Sequence, residues 1–136
     1  MRDYVYLAGA IYGKSDSECG DWRKDAAAIL QMLGILTKNP MDRDYRGEER
    51  YRQHEIVEGD KAAIDECWGM IVNAESPSWG TAMEVLYARQ KGLVIIAFSS
   101  SMNVSPWLEY HADHVVRSLL KAIRLASVCS IAEKAK

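Results

Sequence analysis

Two apolar runs, Gly69-Met70-Ile71-Val72-Asn73 and Leu93-Val94-Ile95-Ile96-Ala97-Phe98, flank a loop and a helical stretch at residues 74–92. That arrangement leaves few folds open. Apolar runs without strict alternation are strands buried on both faces, and two such strands joined by a long crossover pair in parallel. A third run, Tyr4-Val5-Tyr6-Leu7-Ala8, opens the chain in the same style. Strands alternating with helices predict a doubly wound parallel sheet with helices on both faces and right-handed crossovers.

The remaining elements follow from periodicity and punctuation. Trp22, Ala26, Ile29, Leu30 and Leu33 recur at helical spacing, with Asp21 as the expected cap and Gly34 as the stop. Ile35-Leu36-Thr37 is the second strand, ended by Asn39-Pro40. Residues 41–52 form a charged loop, long for a compact domain and therefore a candidate functional segment. A helix is expected over residues 53–67, a polar loop over 99–105, a short fifth strand at Asp113-His114-Val115-Val116, and a terminal amphipathic helix through Leu119, Leu120, Ile123 and Ala126. With 136 residues, no repeats and no linker, one domain spanning 1–136 is expected.

Totals exclude several function classes. Net charge is −2 and no basic block alternates with aromatics, so a nucleic-acid partner is not expected. Cys19, Cys67 and Cys129 are odd in number and form no C-x-x-C pair, which argues for reduced thiols in a cytoplasmic protein and against a thiolate metal site. His111-x-x-His114 has only Asp113 as a nearby carboxylate, so no metal and no cofactor is expected. The chain shows no charged-then-apolar leader and no long apolar run, so neither secretion nor a membrane partner is expected.

Three side chains carry candidate chemistry. Glu84 lies near the start of the helix that follows the third strand, with Ser78 as its expected cap and the amides of Gly80 and Thr81 free for an anion. It is either a solvated helix glutamate or the carboxylate of a site above the strand ends, where open α/β sheets bind ligands. Asp60 interrupts the apolar stripe Ile56, Asp60, Ile64, Cys67 and must pair with Lys61 or an arginine, or face a cleft. Tyr6 alternates with Val5 and Leu7, so its ring belongs to the core or its hydroxyl to the site. Two acids and a phenol converging above strand ends would suit cleavage of a glycosidic bond: one carboxylate attacks the anomeric carbon while a proton donor assists the leaving group.

These residues, in this order and spacing, resemble the nucleoside 2-deoxyribosyltransferase superfamily, which includes deoxyribosyltransferases and nucleoside 5′-monophosphate N-glycosidases. The resemblance rests on residues 5–10, Pro40-Met41-Asp42-Arg43-Asp44-Tyr45-Arg46-Gly47, Asp60 with Ile64, Gly80 through Glu84 with Tyr87-Ala88, and residues 105–116. It implies a flavodoxin-like (Rossmann-like) five-stranded parallel sheet flanked by helices. It also implies Glu84 as the nucleophile, Tyr6 as the group that orients or helps ionise it, and Asp60 as the residue engaging the base or its proton. Substrate contacts would come from Gly9, Ile11, Gly13, Asp42, Ser78 and Gly80. Ser105 and His114 would come from a neighbouring subunit, making the protein a homo-oligomer with shared sites acting on a small nucleoside or nucleotide. Three departures leave the subfamily open. Ser78 stands where the transferases carry a sugar-binding aspartate, His114 where they carry an asparagine, and Trp68 at a place often acidic in the superfamily. Two other classes remain to be separated from the enzyme: a nucleotide-sensing module without turnover and a plain α/β interaction domain.

Overall fold

The computed structural model describes residues 2–136. Its strands are β1 (Tyr4–Gly9), β2 (Leu36–Lys38), β3 (Cys67–Asn73), β4 (Val94–Phe98) and β5 (His114–Val116), and its helices are α1 (Asp16–Met32), α2 (Gln53–Asp65), α3 (Trp79–Gln90), α4 (Pro106–His111) and α5 (Leu119–Lys134). All pairings are parallel, in the order β2-β1-β3-β4-β5. This is the flavodoxin-like order, and the direction of winding reverses between β1 and β3. The crevice beyond the carboxyl ends of those two strands is where such sheets bind ligands.

Alternation along β1 divides the core in two. Val5 and Leu7 pack with Leu30, Ile71, Ile96 and Ile123 beneath α1 and α5. Tyr6 and Ala8 point the other way, joining Ile64, Met70, Val85 and Ile95 beneath α2 and α3. Side chains two apart along a strand share a face, so the phenol of Tyr6 lies on the side covered by the helices that carry Asp60 and Glu84.

The boundaries differ from expectation at five places, the second strand among them, which runs from Leu36 to Lys38 rather than from Ile35 to Thr37. Helix α1 begins at Asp16, capped by Ser15 rather than Asp21. The Ser15 hydroxyl accepts from the Glu18 amide while the Glu18 carboxylate accepts from the Ser15 amide, so the two satisfy orphan donors reciprocally. Gly34 does end the helix, at a φ of 77° that suits glycine. Cys67 belongs to β3, because α2 closes at Asp65 and the strand pairs from Cys67 onward. Helix α4 lies in a stretch whose single turn and lack of fully buried side chains give almost no periodic signal. The fifth strand starts one residue late, at His114, since Asp113 turns its carboxylate back to accept the Ile95 amide.

Candidate functional site

A cavity of about 260 Å³ opens at the β1/β3 switch point. Ile56, Val57 and Ile64 of α2 and Met41 of the Pro40–Asp42 turn that precedes it give it an apolar wall, and Asp60, Arg43, Ser78 and Glu84 converge on it. The sheet and the two helices on one of its faces bring together the residues that the sequence placed far apart.

At its floor the Tyr6 hydroxyl donates to Glu84 Oε2 at 2.5 Å. Tyr6 is fully buried and Glu84 half-buried, so this is a short bond to a carboxylate screened from bulk water. Burial and the neighbouring Glu84 and Asp60 carboxylates push the Tyr6 phenol far above its ordinary range. It therefore stays protonated and donates. Burial also pushes Glu84 above the ordinary carboxylate range, and the charge of Asp60 adds to this; the Tyr6 hydrogen bond and the Arg23 guanidinium pull in the opposite direction.

Asp60 faces the cleft and is also paired, through Asp60 Oδ1 to Arg43 Nη2 at 2.9 Å. Lys61 instead meets Glu58 at 3.5 Å. Burial raises the Asp60 carboxyl while Arg43 opposes the rise. Asp60 and Glu84 line the same cavity, and the charge of Asp60 is felt at Glu84. The pair can hold one proton between them.

The cap of α3 is as expected in residue but not in detail. Ser78 Oγ accepts from the Thr81 amide at 3.3 Å, so that amide is spent on the cap rather than left free for an anion. The Thr81 hydroxyl, by contrast, is the buried side-chain polar atom without a partner among the described residues. Lys14 reaches the same loop, donating to Ser76 Oγ at 3.3 Å. Two hydroxyls and a helix start thus gather at one end of the cavity, and Lys14 lies against the loop that leads to it, outside the lining.

The other expected contacts divide. Gly9, Ile11 and Gly80 line the cavity. At Gly9 a Cβ would come within 3.0 Å of the Trp22 ring and 3.2 Å of Asn73 Cβ, so only glycine lets β1 end this close to its neighbours. Gly13 and Asp42 do not line it; Gly13 forms the turn that leads into α1, and Asp42 ends a short 3-10 turn pointing to solvent. Ser105 and His114 are exposed at the start of α4 and of β5, outside the cavity of one chain. His111 Nδ1 donates to the Trp107 carbonyl at 2.7 Å, and no group of three metal-ligating side chains exists among the described residues. No helix is long and apolar enough to cross a membrane.

Sequence reasoning passed over Arg23. It is fully buried, and its guanidinium donates to the carbonyls of Leu7 (3.1 Å), Cys19 (2.7 Å) and Gly9 (2.9 Å). These bonds fix the end of β1 and place a buried positive charge behind Glu84. The signal was available: Cys19, Arg23, Ala26 and Leu30 form the most buried stripe of α1, and a charge inside such a stripe needs a reason.

The sequence model of a family described as nucleoside 2-deoxyribosyltransferase matches residues 5–122. Among solved structures, a 2-deoxyribosyltransferase of Bacillus psychrosaccharolyticus is similar with a TM-score of 0.69 at 16% identity, covering 88% of this chain and 90% of that one. A CMP N-glycosidase of Clostridium botulinum gives 0.62 at 17% identity over 90% and 97%. A conserved protein of Enterococcus faecalis gives 0.66 at 13% over 91% and 96%. No curated protein sequence matches the chain significantly.

Proposed function

Since the chain belongs to the nucleoside 2-deoxyribosyltransferase family, we propose that it cleaves the N-glycosidic bond of a nucleoside 5′-monophosphate or nucleoside through a covalent glycosyl-Glu84 intermediate. The observation that carries this reading is the Tyr6 to Glu84 hydrogen bond at the cavity floor. A carboxylate oriented by a buried donor and flanked by a second carboxyl has the parts of a nucleophile and an acid. In the first step a Glu84 oxygen bonds to C1′ as the C1′–N bond breaks. The bond's electron pair leaves with the base nitrogen, which takes the proton held by the Asp60 and Glu84 pair. Water or a second base then attacks C1′ and releases Glu84. Ile56, Val57 and Met41 offer the base an apolar wall, and no metal or cofactor enters the scheme.

Ser78, the Thr81 hydroxyl and Lys14 support a 5′-phosphate at the α3 end. Helix starts favour anions, and neutral hydroxyls do not repel them. The test is a panel of nucleosides and their 5′-monophosphates, each with and without a second free base. The monophosphates should turn over faster, with hydrolysis competing with transfer, and Ser78→Asp should selectively weaken them by like-charge repulsion. Preference for unphosphorylated deoxynucleosides with no turnover unless a second base is supplied would reject the phosphate assignment in favour of transfer.

The protein is also proposed to act as a homo-oligomer. Trp79 and Met83 of α3 and Trp107 and Tyr110 of α4 stand 85%, 64%, 78% and 81% exposed, an unusual concentration of apolar surface. Met83 also lines the cavity, so a second copy docked here would close it and could bring Ser105 and His114 to it. Light scattering at assay concentration should report a dimer or larger; a fully active monomer rejects the shared site.

A further inference from the structure

Helix α2 carries a glycine in its interior, Gly59, immediately before Asp60. Glycine is among the poorest helix formers, and no turn or positive φ requires it here. Its surroundings supply the reason. A Cβ on Gly59 would collide with Arg43 Nη1 and come within 2.8 Å of Arg43 Cζ. The guanidinium lies in the notch left by the missing side chain, and from there Nη2 reaches Asp60 Oδ1 at 2.9 Å. Its backbone is fixed as well, since the Arg43 amide closes the Pro40 turn by donating to the Pro40 carbonyl at 3.2 Å.

We propose that Arg43, seated in the Gly59 notch, is a positioning residue that fixes the Asp60 carboxyl toward Glu84 and keeps the negative charge of the pair on Asp60. The groups facing Asp60 make the case. Tyr6 from β1 and Glu84 from α3 are an acid hydroxyl and a carboxyl, and neither supplies positive charge. Lys61, the next residue on α2, is turned to Glu58 and the Tyr87 ring. Arg23 lies behind β1, bonded to backbone carbonyls. Arg43 is therefore the cation that contacts Asp60. An Asp60 held as the carboxylate accepts the proton that Glu84 must lose to become a nucleophile, and delivers it to the leaving nitrogen. The proton count of the first step is unchanged; Arg43 decides where the proton waits.

This inference rests on the glycosidase reading for its catalytic meaning but not for its geometry, and Gly59→Ala separates the two. The substitution improves the helix while evicting only the flexible end of Arg43. The variant should fold with a Tm at or above wild type, and the Asp60 carboxyl, followed by carbon-13 NMR, should titrate about one pH unit or more higher once its cation is displaced. On the preferred nucleotide of the panel, kcat/KM should fall roughly 10- to 100-fold through misplacement of the carboxyl. Gly20→Ala is the matched control: a Cβ there meets nothing within 4 Å, so it should match or raise the Tm and move neither readout. Arg43→Gln removes the cation directly and should reproduce the titration shift, including if Gly59→Ala fails to fold. An Asp60 that titrates as in wild type in the folded variants overturns the proposal. A wild-type protein that turns over no member of the panel overturns the glycosidase reading instead, while the titration still decides what Arg43 does.

Discussion

Glu84→Gln is expected to fold normally and to lose at least about three orders of magnitude in turnover, equivalent to about 4 kcal/mol of barrier. The amide oxygen still accepts from the Tyr6 hydroxyl, so the cavity floor keeps its shape. What disappears is the oxygen nucleophile that bonds to C1′. A second signature accompanies the first. Burial raises Glu84 in the folded chain above the ordinary carboxylate value of 4.5. Between its unfolded pKa and its raised folded pKa the folded state binds more protons than the unfolded one, so this group's contribution to stability falls as pH rises through that interval. In Glu84→Gln the slope contributed by this group is absent, and the variant should exceed wild type in Tm at alkaline pH while matching it more closely in acid. Thermal melts across pH with single-turnover assays measure both effects. A Glu84→Gln protein that keeps more than about a tenth of the wild-type rate removes Glu84 from the nucleophile's role, since a covalent nucleophile cannot be lost that cheaply.

That trade of stability for a buried reactive carboxyl explains which parts of the molecule could be read from sequence. Strands β1, β3 and β4 were legible because a strand covered on both faces must be apolar throughout, and the lengths between them allow only crossovers. Tyr6 and Asp60 stood out because each breaks a local pattern, a phenol in a core strand and an acid in an apolar stripe, whereas Glu84 stood out only through their company and the family resemblance. What escaped was partly local detail at helix caps and partly tertiary. The cap of α1 moved to Ser15 because Glu18 completes a reciprocal pair there, and Asp21 sat nearer the visible apolar repeat. Helix α4 is a single turn whose exposed aromatics carry no inward periodicity. The Thr81 amide looked free until the Ser78 hydroxyl was seen to take it. Gly59 and Arg43 are 16 positions apart with an irregular loop between them, and no periodicity relates a notch to the side chain that fills it.

Asp60→Asn tests the other half of the chemistry, and its expected effects separate proton delivery from packing. The Arg43 pair is partly exposed, with the two side chains 36% and 20% accessible, so its loss should cost no more than about 1 kcal/mol. Asparagine also relieves the burial of a charge. The Tm should therefore stay within a few degrees of wild type, while kcat/KM falls by about 10²- to 10⁴-fold, the share of a general acid or base. The leaving group then tells the two carboxyls apart. A nucleotide whose base is already cationic, such as an N7-methylated purine, departs neutral and needs no proton. At a pH high enough to ionise Glu84 without Asp60 as acceptor, its cleavage should be nearly insensitive to Asp60→Asn and abolished by Glu84→Gln, because the anomeric carbon still requires a nucleophile. Equal damage to both substrates by Asp60→Asn would mean that Asp60 holds the base in place rather than moving its proton. A fall in Tm with unchanged activity per folded molecule would mean that the Arg43 pair serves the fold alone.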